Sequence, residues 1–119
     1  MADAFLGIDL GTTNSVATIL SGEDTKHVRT DDGSFLLPSV VRLDARGNAI
    51  VGARARKFLE TDPENTRGEF KRIMGSGRKL AFKSANMEKT PEDLSAFVLS
   101  TLAEHATRIL GKRPTCAVI

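Results

Sequence analysis

Short apolar runs separated by polar turns make up the first half of the chain. Residues 5–10 and 16–20 are rich in Ile, Leu and Val, and the small polar residues Gly-Thr-Thr-Asn-Ser lie between them. Because both runs have strand length and a glycine turn separates them, they predict a β-hairpin. Further strands are predicted at 26–29, 39–43 and 49–51, where Asp-Asp-Gly, Pro and Arg-Gly-Asn provide turn signals. The first half is therefore expected to be mostly β.

After Gly52 the apolar pattern becomes helical. Residues 53–60 are good helix formers and end before an Asp-Pro pair, which stops a helix. Thr66 and Glu69 have the spacing of a capping box. A second short helix is therefore predicted to begin at Thr66 and to end in the Gly-Ser-Gly turn of residues 75–77.

The longest predicted helix begins at Thr90. This residue suits an N-cap, Pro91 suits the first helical position, and Glu92 and Asp93 add favourable acidic charge to the first turn. The helix would end before Gly111. An apolar stripe at helical spacing is expected to pack on the sheet: Leu94, Phe97, Val98, Leu102, Ala106, Ile109 and Leu110.

A last apolar run, residues 115–119, predicts a buried strand. No turn and no partner strand follow it, so we expect an incomplete domain whose open sheet edge favours self-association. With 119 residues and 40% hydrophobic content, the chain has the size of a single domain. Its one cysteine, Cys116, is expected to be a small buried hydrophobic residue.

Composition and charge narrow the class of protein. The sequence has neither a signal peptide nor an apolar stretch of membrane-spanning length, which predicts a cytoplasmic protein with no membrane partner. The net charge is +2, but residues 42–89 carry twelve basic and six acidic side chains. Such a stretch can bind nucleic acid, yet Trp and Tyr are absent and acidic residues are interspersed. A solvated basic face is therefore the favoured interpretation.

The hairpin carries the strongest chemical signal. Asp9 lies in the first apolar run, where a buried carboxylate is costly unless positive charge compensates it, and a hydrated Mg²⁺ would do so. Gly11 permits a tight turn, and backbone N–H groups with the hydroxyls of Thr12 and Thr13 can donate to phosphate oxygens. The pattern predicts either a phosphate cradle with a metal anchor or an ordinary hairpin. In the second case, Asn14 satisfies the turn and Asp9 forms a salt bridge.

Other kinds of site are not indicated. Neither the glycine-rich loop that ends in Gly-Lys-Ser or Gly-Lys-Thr nor a complete Gly-x-Gly-x-x-Gly motif is present, so a nucleotide would have to be held by the hairpin. His27 and His105 are isolated and are interpreted as surface or partly buried residues rather than ligands. Asp-Asp-Gly at 31–33 is interpreted as a turn rather than a calcium loop, and no Ser-His-Asp arrangement can be identified.

Between residues 7 and 75 the chain carries, in order, the segments GIDLGTTNSV, LLPSVV, AIVGARA, DPENT and FKRIMG. They resemble, respectively, the first phosphate loop, the Thr-Pro-Ser-Val-Val strand, the Val-Gly segment, the Asn-Pro-Glu-Asn-Thr turn and the Ala-Lys-Arg-Leu-Ile-Gly helix of the DnaK-type seventy-kilodalton heat-shock chaperones. The resemblance implies an α/β fold with an actin-like, ribonuclease-H-like ATPase core. Only the N-terminal lobe would be present, as a mixed sheet with flanking helices.

The same resemblance implies ATP or ADP with Mg²⁺ as ligands. The residues that would line the phosphates are Gly11, Thr12, Thr13 and Asn14. Asp9 would hold Mg²⁺ through water, and Lys71 would be the catalytic lysine beside the γ-phosphate. One buried lysine and one magnesium ion fit phosphoryl transfer, in which charge neutralisation and placement carry most of the catalysis. Without the resemblance, Lys71 would be interpreted as a positively charged side chain exposed on a helix.

The resemblance also implies a molecular chaperone of the stress response that hydrolyses ATP to assist protein folding. Its partners would be unfolded or peptide clients bound by a C-terminal domain outside this sequence, a J-domain co-chaperone and a nucleotide-exchange factor. Residues 1–119 would be an incomplete nucleotide-binding domain with an outer subdomain at about 36–90. Alone, this part is expected to bind nucleotide weakly and to have negligible turnover.

Several positions depart from the family pattern. Phe70 replaces a small residue before the lysine, and Leu37 replaces a threonine. The stretch between Gly75 and Thr90 is short, as in the DnaK-like subfamily typified by HscC. Two alternatives stay open: a small-molecule kinase of the actin-like superfamily, which would lack the match around Lys71, and a basic module that binds nucleic acid.

Overall fold

The computed structural model describes residues 4–119. In chain order its strands and α-helices are β1 (Ala4–Leu10), β2 (Asn14–Ser21), β3 (Asp24–His27), β4 (Leu37–Pro38), β5 (Val40–Leu43), β6 (Ala49–Val51), α1 (Ala53–Arg56), α2 (Phe58–Thr61), β7 (Thr66–Gly68), β8 (Leu80–Phe82), β9 (Met87–Lys89), α3 (Pro91–Leu110) and β10 (Cys116–Val118). Two 3₁₀ turns, Pro63–Asn65 and Phe70–Ile73, flank β7. Strands and helices are mixed along the chain, which confirms the predicted α/β class.

A mixed sheet of five strands carries the predicted hairpin. The strand order is β10-β1-β2-β3, and β4 pairs with the first residues of β2. β1 and β2 are antiparallel, with Leu10 opposite Ser15, whereas β10 lies parallel to β1. β3 begins and ends two residues earlier than the predicted strand at 26–29, because only Asp24–His27 pairs with β2.

Alternation along β1 and β2 separates a buried face from an exposed one. Leu6, Ile8, Ala17 and Ile19 are buried, whereas Phe5 on the same hairpin is exposed. Successive side chains of a strand point to opposite faces, so the hairpin presents one apolar face to the core.

Helix α3 covers this apolar face. It begins with a capping box, in which the Thr90 hydroxyl accepts the Asp93 N–H and the Asp93 carboxylate accepts the Thr90 N–H, both at 3.0 Å. Of the predicted stripe, Leu94, Val98, Leu102 and Ala106 are fully buried, and Ile109 is exposed. Burial of each large aliphatic side chain stabilises the fold by about 1.5–3 kcal/mol.

A second sheet has the antiparallel order β6-β5-β7, and β8 and β9 form a separate hairpin. The predicted helix beginning at Thr66 is wrong. Thr66 lies in β7 opposite Arg42, and its hydroxyl donates to the Asp62 carbonyl oxygen at 2.9 Å. Glu69 has a left-handed φ of 54° rather than a helical one. Pairing with β5 satisfies the backbone groups that a capping box would otherwise engage.

Two further expectations are corrected. The helix predicted at 53–60 is present as the short helices α1 and α2, which are interrupted at Lys57. The predicted last strand is present as β10, but all three of its residues are exposed, so the expectation of a buried strand with a buried Cys116 is wrong. Within the described residues β10 pairs only with β1, and Val118 keeps 69% of its surface exposed.

Within residues 4–119, none of the helices combines the length and the apolar character that crossing a membrane would require.

Candidate functional site

The loop between β1 and β2 is a tight turn that only glycine allows at its first position. A Cβ atom placed on Gly11 would lie 2.1 Å from the backbone oxygen of Asn14. Real Cβ atoms do not approach that closely, so a side chain at Gly11 would force the loop open. The tight turn predicted at this glycine is therefore present.

Ser39 ties the loop to the protein. Its hydroxyl donates to the Gly11 carbonyl oxygen at 2.9 Å, and its backbone N–H donates to the Thr13 carbonyl oxygen at 2.9 Å. The buried Ser15 hydroxyl lies 2.9 Å from the same Ser39 hydroxyl. Two loop carbonyls are thus turned toward protein donors, and the loop conformation is fixed from inside.

Lys71 reaches the same loop from a distant part of the chain. Its Nζ donates to the Leu10 carbonyl oxygen at 2.6 Å. The Lys71 side chain is exposed, so the expectation of a buried lysine is wrong. The ammonium group is nevertheless held at the residue that precedes Gly11, which places a positive charge beside the loop.

The position of Lys71 follows from strand pairing and one aromatic anchor. β4 pairs with Asn14 and Ser15, β5 follows directly, and β7 pairs with β5. The 3₁₀ turn Phe70–Ile73 comes right after β7, and Phe70 is buried in the main core. Phe70, which departs from the family pattern, therefore anchors the turn that carries Lys71.

Asp9 lies at the end of β1, opposite Val16, on the face of the sheet that α3 does not cover. Its side chain is exposed, so the assumption of a buried carboxylate is wrong. None of the ion pairs within residues 4–119 involves Asp9, which removes the support for a structural salt bridge. A carboxylate without an ion-pair partner can hold a hydrated Mg²⁺, an ion that proteins often bind through one or two carboxylates together with substrate phosphates.

The predicted phosphate residues Thr12, Thr13 and Asn14 are partly or fully exposed in the loop. Within the described residues, the N–H groups of Thr12 and Thr13 donate to no backbone carbonyl. With carbonyls directed inward and amides free, the loop can donate hydrogen bonds to an anion. Lys71 is linked to this loop through its hydrogen bond to the carbonyl oxygen of Leu10, the residue that precedes Gly11.

The structure also shows the contacts and exposure of the two histidines and of the acidic turn at residues 31–33. His105 is buried, with its ring Nδ1 2.7 Å from the Thr101 carbonyl oxygen and its Nε2 3.0 Å from Asp31. The hydrogen bond from His105 lowers the pKa of Asp31, and Arg108 adds a smaller effect in the same direction. His27 is exposed, and Asp31, Asp32 and Gly33 form the predicted turn. His105 and Asp31 therefore link α3 to the turn at 31–33.

Three of the basic residues in 42–89 contact other groups of the protein. Arg42 pairs with Asp62 at 2.9 Å and Lys83 lies 3.5 Å from Glu64. Arg67 donates to a backbone carbonyl of β8. These three side chains therefore have partners within the protein.

Sequence reasoning missed the functional importance of Ser39 and Ser15. Ser39 occurs within the segment LLPSVV, between β4 and β5, and a serine there gives no local sign of a contact with a residue 28 positions away. The Leu10 carbonyl was missed as well, since a backbone acceptor has no sequence signature.

Comparison with known proteins agrees with this geometry. The family model described as Hsp70 protein matches residues 5–119. The chain is 40% identical over 114 residues to the chaperone protein DnaK of Mycoplasmopsis synoviae (strain 53), covering 96% of this chain and 18% of the relative. It is 39% identical over 118 residues to the chaperone protein DnaK of Endomicrobium trichonymphae, covering 96% of this chain and 19% of the relative.

A third chaperone protein DnaK, from Mycoplasmoides gallisepticum (strain R(low / passage 15 / clone 2)), is 38% identical over 116 residues, again covering 96% of this chain and 19% of the relative. The chain thus spans less than a fifth of the length of these relatives. The sheet and helices described above correspond to the N-terminal lobe of the actin-like, ribonuclease-H-like ATPase fold. Both the matched residues and the levels of identity show that the chain belongs to the Hsp70 protein family.

Proposed function

We propose that the loop Gly11–Asn14 and Lys71 form one wall of a site for the phosphates of ATP or ADP with Mg²⁺. The observation that carries the proposal is the hydrogen bond from Lys71 to the Leu10 carbonyl, which sets a cation beside free backbone amides. Anions bind where such amides and a positive charge converge. In the whole protein this site would serve an ATP-hydrolysing chaperone of the DnaK type that assists protein folding.

Each residue would have a separate task. The N–H groups and hydroxyls of Thr12 and Thr13 would donate to phosphate oxygens, and Asn14 would line the same wall. Lys71, the proposed catalytic residue, would neutralise charge that develops on the transferred phosphoryl group and orient the attacking water. A bound Mg²⁺ would supply further charge neutralisation, and Asp9 would hold it through water.

The loop Gly11–Asn14 and Lys71 would contact a nucleotide from one side only. Cavities of about 530, 540 and 370 Å³ among the described residues are lined by other side chains, and none of these three includes the loop or Lys71. A nucleotide therefore needs a second wall to enclose it. On this ground we expect residues 4–119 alone to bind nucleotide weakly and to have negligible turnover.

Family membership supports the remaining parts of the proposal. Peptide clients, a J-domain co-chaperone and a nucleotide-exchange factor are the proposed partners, and the cytoplasm is the proposed location. Residues 36–90 are proposed to form an outer subdomain, which fits their own sheet β6-β5-β7 and the hairpin β8–β9. The kinase and nucleic-acid alternatives are not favoured, since the whole matched region agrees with Hsp70.

Nucleotide binding and hydrolysis by the protein carrying this chain test the proposal. We expect Lys71→Ala to lower the rate of ATP hydrolysis by about 100-fold, the size of effect seen when one electrostatic group of an active site is removed. Arg72→Ala is the matched control, because Arg72 is exposed and pairs only weakly with Glu69 at 3.5 Å. Equal activity of the two variants would overturn the role of Lys71.

A second experiment tests the expectation that residues 4–119 alone bind nucleotide weakly. Calorimetric titration of Mg-ADP into the 119-residue chain should show no micromolar binding. If micromolar binding is observed, the loop and Lys71 suffice to bind the nucleotide, and the expectation that a second wall is needed is wrong.

A further inference from the structure

A cavity of about 540 Å³ runs along the free edge of β3. Within the described residues β3 is the last strand of its sheet and pairs with β2 on one side only. Thr25, Lys26 and His27 all line the cavity. Because consecutive side chains of a strand point to opposite faces, a cavity lined by all three must lie at the strand edge itself. Backbone groups of β3 that β2 leaves free are therefore next to the cavity.

The cavity is basic with one apolar side. Lys26, Arg29 and Arg108 line it together with two histidines, and none of the lining residues is acidic. Its apolar surface comes from Phe35 and Ile109, which are 39% and 36% exposed. A ligand that fits this surface needs both negative charge and apolar groups.

Two of the cationic or polar side chains are already held in place. The Arg29 guanidinium lies 4.5 Å from the centroid of the Phe35 ring, and its Nη1 donates to the Gly33 carbonyl oxygen at 2.7 Å. The His27 ring lies 5.6 Å from that of Phe35, and its Nδ1 is 3.2 Å from the Thr18 hydroxyl. Ordered side chains lose less entropy when a ligand binds.

Some of the positively charged side chains in the cavity are already paired with a carboxylate, and others are not. Asp31 lies 3.0 Å from His105 and 3.5 Å from Arg108, so part of the charge on that side is compensated. None of the ion pairs within residues 4–119 involves Lys26 or Arg29. These two side chains are therefore the ones offered to an acidic ligand.

We infer that the free edge of β3 binds an extended acidic peptide segment. The segment adds to β3 as a further strand, places carboxylates against Lys26 and Arg29, and places alternate apolar side chains against Phe35 and Ile109. Strand addition draws affinity from main-chain hydrogen bonds and specificity from alternate side chains. The site lies apart from Gly11–Asn14 and Lys71, so the inference extends beyond the proposed nucleotide site.

A peptide fits the cavity better than a nucleic acid does. Phe35 is the one Phe, Tyr or Trp side chain that lines it, and a single ring of this kind does not provide the series of aromatic side chains on which successive bases stack. The free strand edge offers backbone hydrogen bonds, which an extended peptide satisfies and a sugar-phosphate backbone does not reproduce.

Fluorescence anisotropy with a labelled peptide of alternating Glu and Val tests the inference. We expect saturable binding at low salt, weakened about 10-fold by Lys26→Glu, since each tenfold change corresponds to 1.4 kcal/mol. Lys79→Glu is the matched control, because this lysine is exposed and does not line the cavity. Circular dichroism melts of both variants verify that each is folded. Equal weakening by the two variants would show non-specific charge attraction and overturn the site.

Two further probes separate strand addition from other modes of binding. The same peptide, N-methylated at alternate residues, should lose binding to the wild-type protein because it cannot pair with β3. Undiminished binding of the methylated peptide refutes strand addition. A single-stranded oligonucleotide of equal charge should bind more weakly than the acidic peptide, and tighter binding would assign the surface to nucleic acid instead.

Discussion

The ammonium group of Lys71 donates a hydrogen bond of 2.6 Å to the carbonyl oxygen of Leu10, which lies 61 residues earlier in the chain. This contact joins the end of β1 to the 3₁₀ turn after β7. It places a lysine beside the Gly11 loop although no local pattern connects the two segments. The proposed phosphate wall depends on this contact, since each segment alone has only part of the chemistry.

Replacing Gly11 by alanine tests how closely the backbones of Gly11 and Asn14 approach each other. The added Cβ would lie 2.1 Å from the Asn14 backbone oxygen, so the loop must open. We expect a loss of about 1–3 kcal/mol in the free energy of unfolding, measured by urea denaturation. Gly7→Ala is the control, because its Cβ would lie an ordinary 3.7 Å from the Thr18 oxygen. An equal loss in both variants would contradict the tight-turn explanation.

Ser39→Ala is expected to destabilise the protein more than Ser15→Ala. Removal of the Ser39 hydroxyl takes the partner from both the Gly11 carbonyl and the Ser15 hydroxyl. Buried groups left without partners cost about 1–3 kcal/mol. In Ser15→Ala, Ser39 still donates to Gly11, so the loss should be smaller. Chemical denaturation of both single variants and of the double variant measures the difference, and a reversed order would rule out the proposed role of Ser39.

The Asp31 carboxyl predicts a dependence of stability on pH. Its pKa lies below the ordinary value of 3.8, first because His105 donates a hydrogen bond to it and then because of nearby Arg108. A lowered carboxyl pKa stabilises the folded state above 3.8, and this contribution is lost as the pH falls through the folded-state value. We expect Asp31→Asn to lower stability at pH 7 and to have no effect below the folded-state pKa.

Thermal melts at several pH values measure this dependence. Asp24→Asn is the control, since Asp24 is also exposed but none of the ion pairs within residues 4–119 involves it. A constant difference between Asp31→Asn and the wild-type protein across the acidic range would refute the pairing with His105.

The exposed edge of β10 predicts self-association of the 119-residue chain. Val118 is 69% exposed on a strand that pairs only with β1 within the described residues. Free strand edges pair with other chains, and a lysine on the edge prevents this. Sedimentation velocity should show a concentration-dependent oligomer that Val118→Lys reduces. Leu36→Lys, which adds the same charge at an exposed loop position, should leave it unchanged; equal effects would point to net charge rather than the strand edge.

Local chemistry made several elements predictable. The hairpin β1–β2 follows from alternation and one glycine turn, and α3 follows from Thr90, Pro91 and Asp93 at its start. Both depend on contacts between residues close in sequence. The candidate loop Gly11–Asn14 was identifiable for the same reason, since its turn and its donors are contiguous.

The remaining features are set by long-range contacts. The capping-box spacing of Thr66 and Glu69 predicted a helix, but pairing with β5 made this segment a strand. The exposure of Asp9 depended on which face of the sheet α3 covers, and the position of Lys71 depended on the burial of its neighbour Phe70. By itself, the sequence therefore determined the family, the hairpin and the long helix, because these are encoded locally. Only the tertiary structure decided that Lys71 lies at the Gly11 loop and that Ser39 holds this loop, because strand pairing joins residues that are distant in the chain.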